Sequence, residues 1–380
     1  MALRCLGTRK CGRRSVTPPM KPGRRADRLA ILPRIAAWAP RGFTSGSARA
    51  RTRNVNPATS IMSRLLIVDG HAYAYRAYYA IRELRSPAAE PTNAIFGFVK
   101  TLARMRTALA PTHLIVVWDG GLSAARTAAL PGYKAHRPEM PAELGSQIDE
   151  IIRYLGTVGV TSFCQDGVEA DDYIACLARA AAGAGWEVVI ASSDKDFMQL
   201  VSEEGVEALK RSTVEPDSVS TLQRFDGSRA GRIGLLNPRD KSETVWTAEQ
   251  VRQKAGVEPS QIVDWLALVG DSVDNIPGVP GVGPKTAAEL LNQFGSVTAL
   301  YRRLDEVKSE KLRATLAAAA DDVQRNVELV RLKDDLPCEF SAEALAIKPA
   351  DAGRLGELFG RWGFRTMLAE LEASRQAVLL

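Results

Sequence analysis

Histidine is scarce, with three in 380 residues. A Ser-His-Asp or Cys-His apparatus is therefore not needed to explain catalysis, and a metal-based mechanism is the economical one. Cysteine is sparse as well. Cys5, Cys11, Cys164, Cys176 and Cys338 show no CxxC spacing, which suits reduced bystanders in a cytosolic-type protein. No apolar run is long enough to span a membrane. Uniform basicity is also missing, although the net charge is +6. Residues 1–61 hold 14 Lys or Arg against one acid, Asp27, leaving 36 bases and 43 acids for the remainder. A tail of +13 thus precedes a body of −7, so an anionic substrate must be drawn in by local patches and bound cations.

Acid is what the body has in quantity. Its densest run is Gly167-Val168-Glu169-Ala170-Asp171-Asp172-Tyr173-Ile174, just ahead of the helical pattern Tyr173, Ile174, Leu177, Ala178, Ala181. On a helix Glu169 and Asp172 share a face, with Asp171 beside them. An acidic first turn complements a helix dipole. Carboxylates this close, however, raise one another's pKa unless a cation neutralises them, and such hard oxygen ligands suit Mg²⁺ or Mn²⁺.

Further carboxylates fall at comparable places. The buried-strand runs Arg64 to Val68, Leu114 to Trp118 and Glu187 to Ala191 are followed by Asp69, by Asp119, and by Asp194 and Asp196. Helical stretches between them, Ala94 to Ala108 and Leu144 to Leu155, predict an α/β fold with a doubly wound, mostly parallel sheet. The strand-end acids would then gather on the edge where such sheets bind ligands. Between the second run and the acidic helix lies Pro131-Gly132-Tyr133-Lys134-Ala135-His136-Arg137-Pro138. It reads either as a solvated loop or as a flexible element over the site, with Lys134 and Arg137 on phosphates and Tyr133 stacked on a base. His136 reads as a surface or positioning residue. Residues 202–244 mix Gly, Ser, Asp and Arg and read as a hairpin or loop linker.

A capping box at Thr247 to Gln250 opens a second, all-α domain. Its helix Ser260 to Val269 leads into Gly270-Asp271-Ser272-Val273-Asp274-Asn275 and then Pro277-Gly278-Val279-Pro280-Gly281-Val282-Gly283-Pro284-Lys285. Asp271 and Asp274 are spaced to reach one cation. The Gly-rich turn before a helix over Lys285 to Phe294 is suited to backbone contact with phosphate. The expected divisions are a basic extension 1–61, an α/β domain 62–244, a helical domain 245–345 and a terminal helical pair 346–380. Met62, directly before the first strand, is a candidate start. An Arg-rich, acid-poor segment also suits an organelle transit peptide or a nucleic-acid-binding tail.

Together, IVDGHAYAYRAYYA, VVWDG, GYKAHRP, GVEADD, SSDKDF and GDSVDNIPGVPGVGPKTA resemble, in order, the motifs of the 5′-nuclease superfamily. The resemblance is to the 5′–3′ exonuclease domain of bacterial DNA polymerase I and its stand-alone relatives. It implies hydrolysis of DNA at 5′ ends or flaps, in Okazaki-fragment or repair processing, with replication or repair proteins as partners of a monomer in the bacterial nucleoid. It places Asp119, Glu169, Asp171 and Asp172 around one Mg²⁺ or Mn²⁺ and Asp194, Asp196, Asp271 and Asp274 around a second, with Asp69 in support. Lys134 and Arg137 match arch cations and Arg76 a phosphate contact. Gly278, Gly281, Gly283 and Lys285 match a duplex-gripping helical hairpin, often with K⁺. Where the family commonly has TGDKD, this chain has Ser192-Ser193-Asp194-Lys195-Asp196, which touches local geometry and not the carboxylates. A metal-dependent ribonuclease on the same core, or an inactive structure-specific DNA-binding protein, are the competing readings.

Overall fold

Four successive apolar residues, Leu65 to Val68, can form a strand only if both faces of the sheet are covered. In the computed structural model, Leu65 and Ile67 enter one core and Leu66 and Val68 the other. Residues 63–202, 231–238, 244–333, 335–338 and 340–378 are described. The basic extension, Met62 and most of the 202–244 linker lie outside them.

The first half alternates strands and helices. It runs β1 (Arg64–Asp69), α1 (Gly70–Ala80), α2 (Asn93–Leu109), β2 (His113–Val117), α3 (Ala124–Ala129), α4 (Ala142–Thr157), β3 (Thr161–Phe163), α5 (Ala170–Gly183), β4 (Glu187–Ala191), β5 (Ile233–Leu236) and β6 (Val245–Trp246). The sheet order is β3-β2-β1-β4-β5-β6. All neighbours are parallel except β6, which runs against β5. Val68 is in register with both Val116 and Ala191. The ends of β1, β2 and β4 therefore stand level.

Two parts differ from expectation. β3 is three residues long and not fully buried, too short for a periodic signal. β5 falls inside the segment read as a linker, where four apolar residues, Ile233 to Leu236, add a buried strand. Its partner β6 ends at Trp246, so the sheet continues past residue 244.

The helical half comprises α6 (Ala248–Ala255), α7 (Ile262–Val269), a two-stranded ribbon of β7 (Gly270–Asp271) and β8 (Ile276–Pro277), α8 (Pro284–Phe294), α9 (Val297–Arg302), α10 (Glu310–Ala318), α11 (Ala320–Val330) and α12 (Ala342–Leu345). The predicted capping box is present: the Thr247 N–H donates to Gln250 Oε1 at 2.8 Å. This half shares a core with the sheet, since Ile67, Ile174, Leu266, Leu291 and Val330 belong to one buried cluster. The chain then returns through α13 (Ala352–Trp362) and α14 (Arg365–Val378) to the other sheet face. There Phe359, Trp362 and Phe364 pack with Phe98 and Leu155. No helix among the described residues is long and apolar enough to cross a membrane.

Candidate active site

Strand order reverses between β1 and β4, the position where a parallel sheet leaves a crevice at its carboxyl edge. Three turns meet there, and each uses one carboxylate to satisfy its own backbone. Asp69 caps α1, accepting from the Ala72 N–H at 3.1 Å. Asp194 accepts from the Asp196 N–H at 3.0 Å, and Asp119 from the Gly121 N–H at 3.1 Å. Ser192 ties two of these turns together. Its hydroxyl donates to Asp69 at 2.8 Å and accepts from the Asp194 N–H at 3.1 Å. Ser192 thus supplies a hydroxyl where the family commonly has threonine. Asp271, in the β7–β8 turn, accepts from the Val273 N–H at 2.8 Å.

These turns surround a cleft of about 650 Å³ lined by Asp69, Asp119, Asp171, Asp194, Asp271 and Asp274, with Lys134 and Arg137. Glu169, Asp172 and Asp196 stand behind its wall. One oxygen each from Glu169, Asp171 and Asp172 fall within 4.8 Å of one another. Glu169 caps α5 from outside the helix, so the predicted shared helical face is replaced by a cap and first turn.

The nine carboxylates are unevenly compensated among the described residues. Arg126 pairs with Glu169 and, at 2.7 Å, with Asp172. Lys134 reaches Glu169 at 2.8 Å, Arg137 reaches Asp274 at 2.6 Å, and Lys195 reaches Asp271 at 3.3 Å. Four resident cations against nine acids leave a formal excess of five carboxylates when all are ionised. The pKa values follow. Burial, then Asp194 and Asp119, push Asp69 up to about 6. Asp171 is pushed up to about 7, because burial and its neighbours Glu169 and Asp172 outweigh Lys134 and Arg126. Asp196 is raised well above the carboxylate range by burial and by Asp194, Asp274 and Asp271. Its Oδ1 is buried without a hydrogen-bond partner. Glu169 moves the other way: Lys134 and Arg126 outweigh its burial and lower it. Oxygen donors that repel one another, one of them orphaned, fit divalent cations.

The basic segment is placed otherwise than as a flexible strip. Gly132 O accepts from Asn275 Nδ2 at 2.8 Å, and the Lys134 N–H donates to Asp274 O at 2.9 Å. The turn is thereby fastened to the loop after β7. Tyr133 is a correction. It is 3 % exposed, belongs to the core around α5, and donates to Glu169 at 3.4 Å. No face is left to stack on a base. Lys134 is buried among acids. Burial lowers its pKa less than Asp171, Asp274 and Glu169 raise it, so it stays cationic. Arg137 keeps part of its surface at the cleft, His136 is exposed, and Arg76 sits on the rim beside Tyr75, Tyr79 and Ser193.

In the helical hairpin the glycines divide. A β-carbon on Gly278 would lie 2.1 Å from Val269 O, so close packing across the β7–β8 ribbon explains that glycine and its expected DNA contact is not needed. Gly281 has φ +78°, and a β-carbon on Gly281 or Gly283 would meet nothing within 4 Å. Gly283 itself is extended, with φ −93°. Lys285 is exposed beside it.

Sequence reasoning missed Arg126, His71 and Lys195. Arg126 is 4 % exposed, and its acidic partners lie 43 and 46 positions away. Only folding brings them together. His71 Nδ1 accepts the Asp119 N–H at 3.0 Å, holding the β2 turn. Its place two residues after a strand-end Asp was the available signal.

Comparison with known proteins agrees with this architecture. Residues 64–226 match the model of the 5′–3′ exonuclease N-terminal, resolvase-like domain, and residues 257–353 that of the 5′–3′ exonuclease C-terminal SAM fold. A 5′–3′ exonuclease of Aquifex aeolicus is 35% identical over 82% of this chain and 96% of its own length. DNA polymerase I of Bacillus subtilis is 35% identical over 81% of this chain, but this chain spans only 32% of that protein. A bacteriophage T5 flap endonuclease, solved as a pseudo-enzyme-product complex with DNA and metal ions, has a TM-score of 0.53 at 22% identity, covering 71% of this chain and 89% of its own. On these grounds, with its acidic crevice and helical half in the family's order, the chain belongs to the 5′–3′ exonuclease family.

Proposed function

We propose that the chain hydrolyses phosphodiester bonds of DNA at 5′ ends and 5′ flaps, in Okazaki-fragment or repair processing, using two Mg²⁺ or Mn²⁺ ions. The reading rests on a formal excess of five carboxylates over cations around one cleft. With all nine ionised, two divalent ions would leave a single residual charge; one ion would leave three. Asp119, Glu169 and Asp171 are suited to one ion, and Asp194, Asp196, Asp271 and Asp274 to the other, with Asp69 between. Asp172, both of whose oxygens accept from Arg126, acts by holding that arginine. Bound divalent ions supply Lewis-acid charge for attack on the phosphodiester and departure of the leaving oxygen.

The protein's own groups orient the DNA. Lys134 stays cationic at the cleft and offers charge to the reacting phosphate. Arg137 and Arg76 bind neighbouring phosphates at the rim. Gly281 and Gly283 leave room for a backbone phosphate beside the start of α8, where no side chain caps the first N–H groups. K⁺ is the ion expected at that hairpin. Monomer, nucleoid location and replication or repair partners belong to this same reading.

The test is cleavage of labelled 5′-flap, nicked and blunt DNA, with matched RNA, in Mg²⁺, Mn²⁺ or Ca²⁺. Cleavage of flap or nicked DNA in Mg²⁺ or Mn²⁺ but not Ca²⁺ is expected. Preferential cleavage of RNA, or binding without cleavage in every metal, would overturn the reading.

A further inference from the structure

The peptide units at the end of α11 are held in an unusual way. From Leu329 to Lys333 the backbone leaves the helix and passes behind the carboxylates, and side chains from three elements bond it in succession. Arg126, on α3, donates to Leu329 O at 3.0 Å and Arg331 O at 3.1 Å. Gln199, in the turn that carries Asp194 and Asp196, donates to Val330 O at 3.0 Å and accepts from the Leu332 N–H at 3.0 Å. Asp172, on α5, accepts from the Lys333 N–H at 3.0 Å. Cys176, one turn further along α5, donates its thiol to Lys333 O at 3.3 Å.

Each of these side chains is bonded to a carboxylate, is one, or shares an element with one. Arg126 bonds Glu169 and Asp172 through the same guanidinium that grips the strap. Gln199 lies three residues after Asp196 on one 3₁₀ turn. The strap thus spans the backs of both carboxylate groups, Glu169 with Asp171 and Asp172 on one side and Asp194 with Asp196 on the other. Its far end is anchored as well. Asn326, fully buried on α11, donates to Ala267 O at 3.1 Å and Pro277 O at 2.6 Å, at the base of the glycine hairpin.

We infer that Leu329–Lys333 is a positioning strap, which fixes the separation of the two carboxylate groups through Arg126 and Gln199. The inference rests on the reading of those carboxylates as metal ligands. A planar guanidinium with donors to two acids and two carbonyls sets direction as well as charge. Gln199 sets the position of the Asp194–Asp196 turn against the same peptide run. Groups standing behind metal ligands in this manner change metal affinity by about 10- to 100-fold when removed.

Gln199→Ala and Arg126→Lys test this. Mn²⁺ affinity is measured on DNA-free protein by electron paramagnetic resonance, with thermal melting in EDTA and duplex affinity in Ca²⁺. The expected result is folded variants that bind Mn²⁺ about 10- to 100-fold more weakly. The turnover number should fall with metal affinity, while duplex affinity stays at the wild-type value. A folded Gln199→Ala protein with lowered melting temperature but unchanged Mn²⁺ affinity and turnover would overturn the strap, leaving only a structural clasp. Gln199 makes no contact with a carboxylate and decides the matter if Arg126→Lys fails to fold. Absence of Mn²⁺ binding by the wild type would instead overturn the metal-centre reading itself, so the two failures are separable.

Discussion

At the scale of single residues, Asp171 stands out among the cleft acids. It lines the cleft, and its nearest cations, Arg126 and Lys134, stay 3.8 and 3.9 Å away. Asp171→Asn should lower the cleavage rate by about 10³-fold or more, with DNA affinity in Ca²⁺ retained. Near-normal turnover in Mg²⁺ would count against the assignment. The same residue makes a pH prediction. Its folded pKa of about 7 lies above its ordinary value. The stability it lends is therefore complete below about pH 4 and is lost as pH rises through 7. Metal-free protein should melt at a lower temperature at pH 8 than at pH 5. Asp171→Asn should flatten that slope, and saturating Mg²⁺ should do the same for the wild type. Tyr133 carries the opposite lesson. Beside Lys134 and two prolines it looked exposed, because nothing local records that α5 covers it. As a core residue, Tyr133→Ala should cost about 3–5 kcal/mol in stability, whereas Tyr133→Phe should leave the fold and DNA affinity intact. Loss of DNA affinity in a stable Tyr133→Phe protein would contradict its burial.

At the scale of elements, the legible ones were those whose signal is local. A run such as Leu-Leu-Ile-Val followed by Asp and Gly announces a buried strand and its turn, so the strand ends beside Asp69, Asp119 and Asp194 could be located. β3 and β5 were not, since three or four residues carry no period and their pairing is decided by strands far away in sequence. Arg126 was hidden for the same reason, on a six-residue Ala-rich helix. The hairpin between the ribbon and α8 yields a paired prediction. Gly278→Ala forces a β-carbon against the backbone of Val269 and should destabilise the fold by about 1–3 kcal/mol. Gly283→Val meets open space in extended backbone, so it should change stability by less than about 1 kcal/mol. If phosphate lies there, KM for a flap substrate should rise strongly while turnover at saturation drops much less. An unchanged KM would mean that DNA does not touch this turn.

At the scale of the whole described body, the helical half and the sheet cannot be separated. Leu266 and Leu291 share a buried cluster with Ile67 and Val188. Unfolding should therefore be a single transition, with tryptophan fluorescence and far-ultraviolet circular dichroism coinciding. Trp118 reports from the sheet and Trp265 from the helical half. Two resolved transitions would indicate that the halves fold independently. The acidic cleft also dictates a sequence in time. Four of its counter-ions are side chains; divalent ions from solution would supply the others. Without them, the ionised crevice repels the phosphate it is proposed to receive. On the proposed reading metal enters first, and history becomes measurable. Protein pre-mixed with Mg²⁺ should cleave added flap DNA in one fast phase. Protein pre-mixed with DNA in EDTA, then given excess Mg²⁺, should show a lag while strands held only at the outer hairpin withdraw and re-enter. Identical traces from the two orders of addition would mean that the centre fills as readily under DNA as without it.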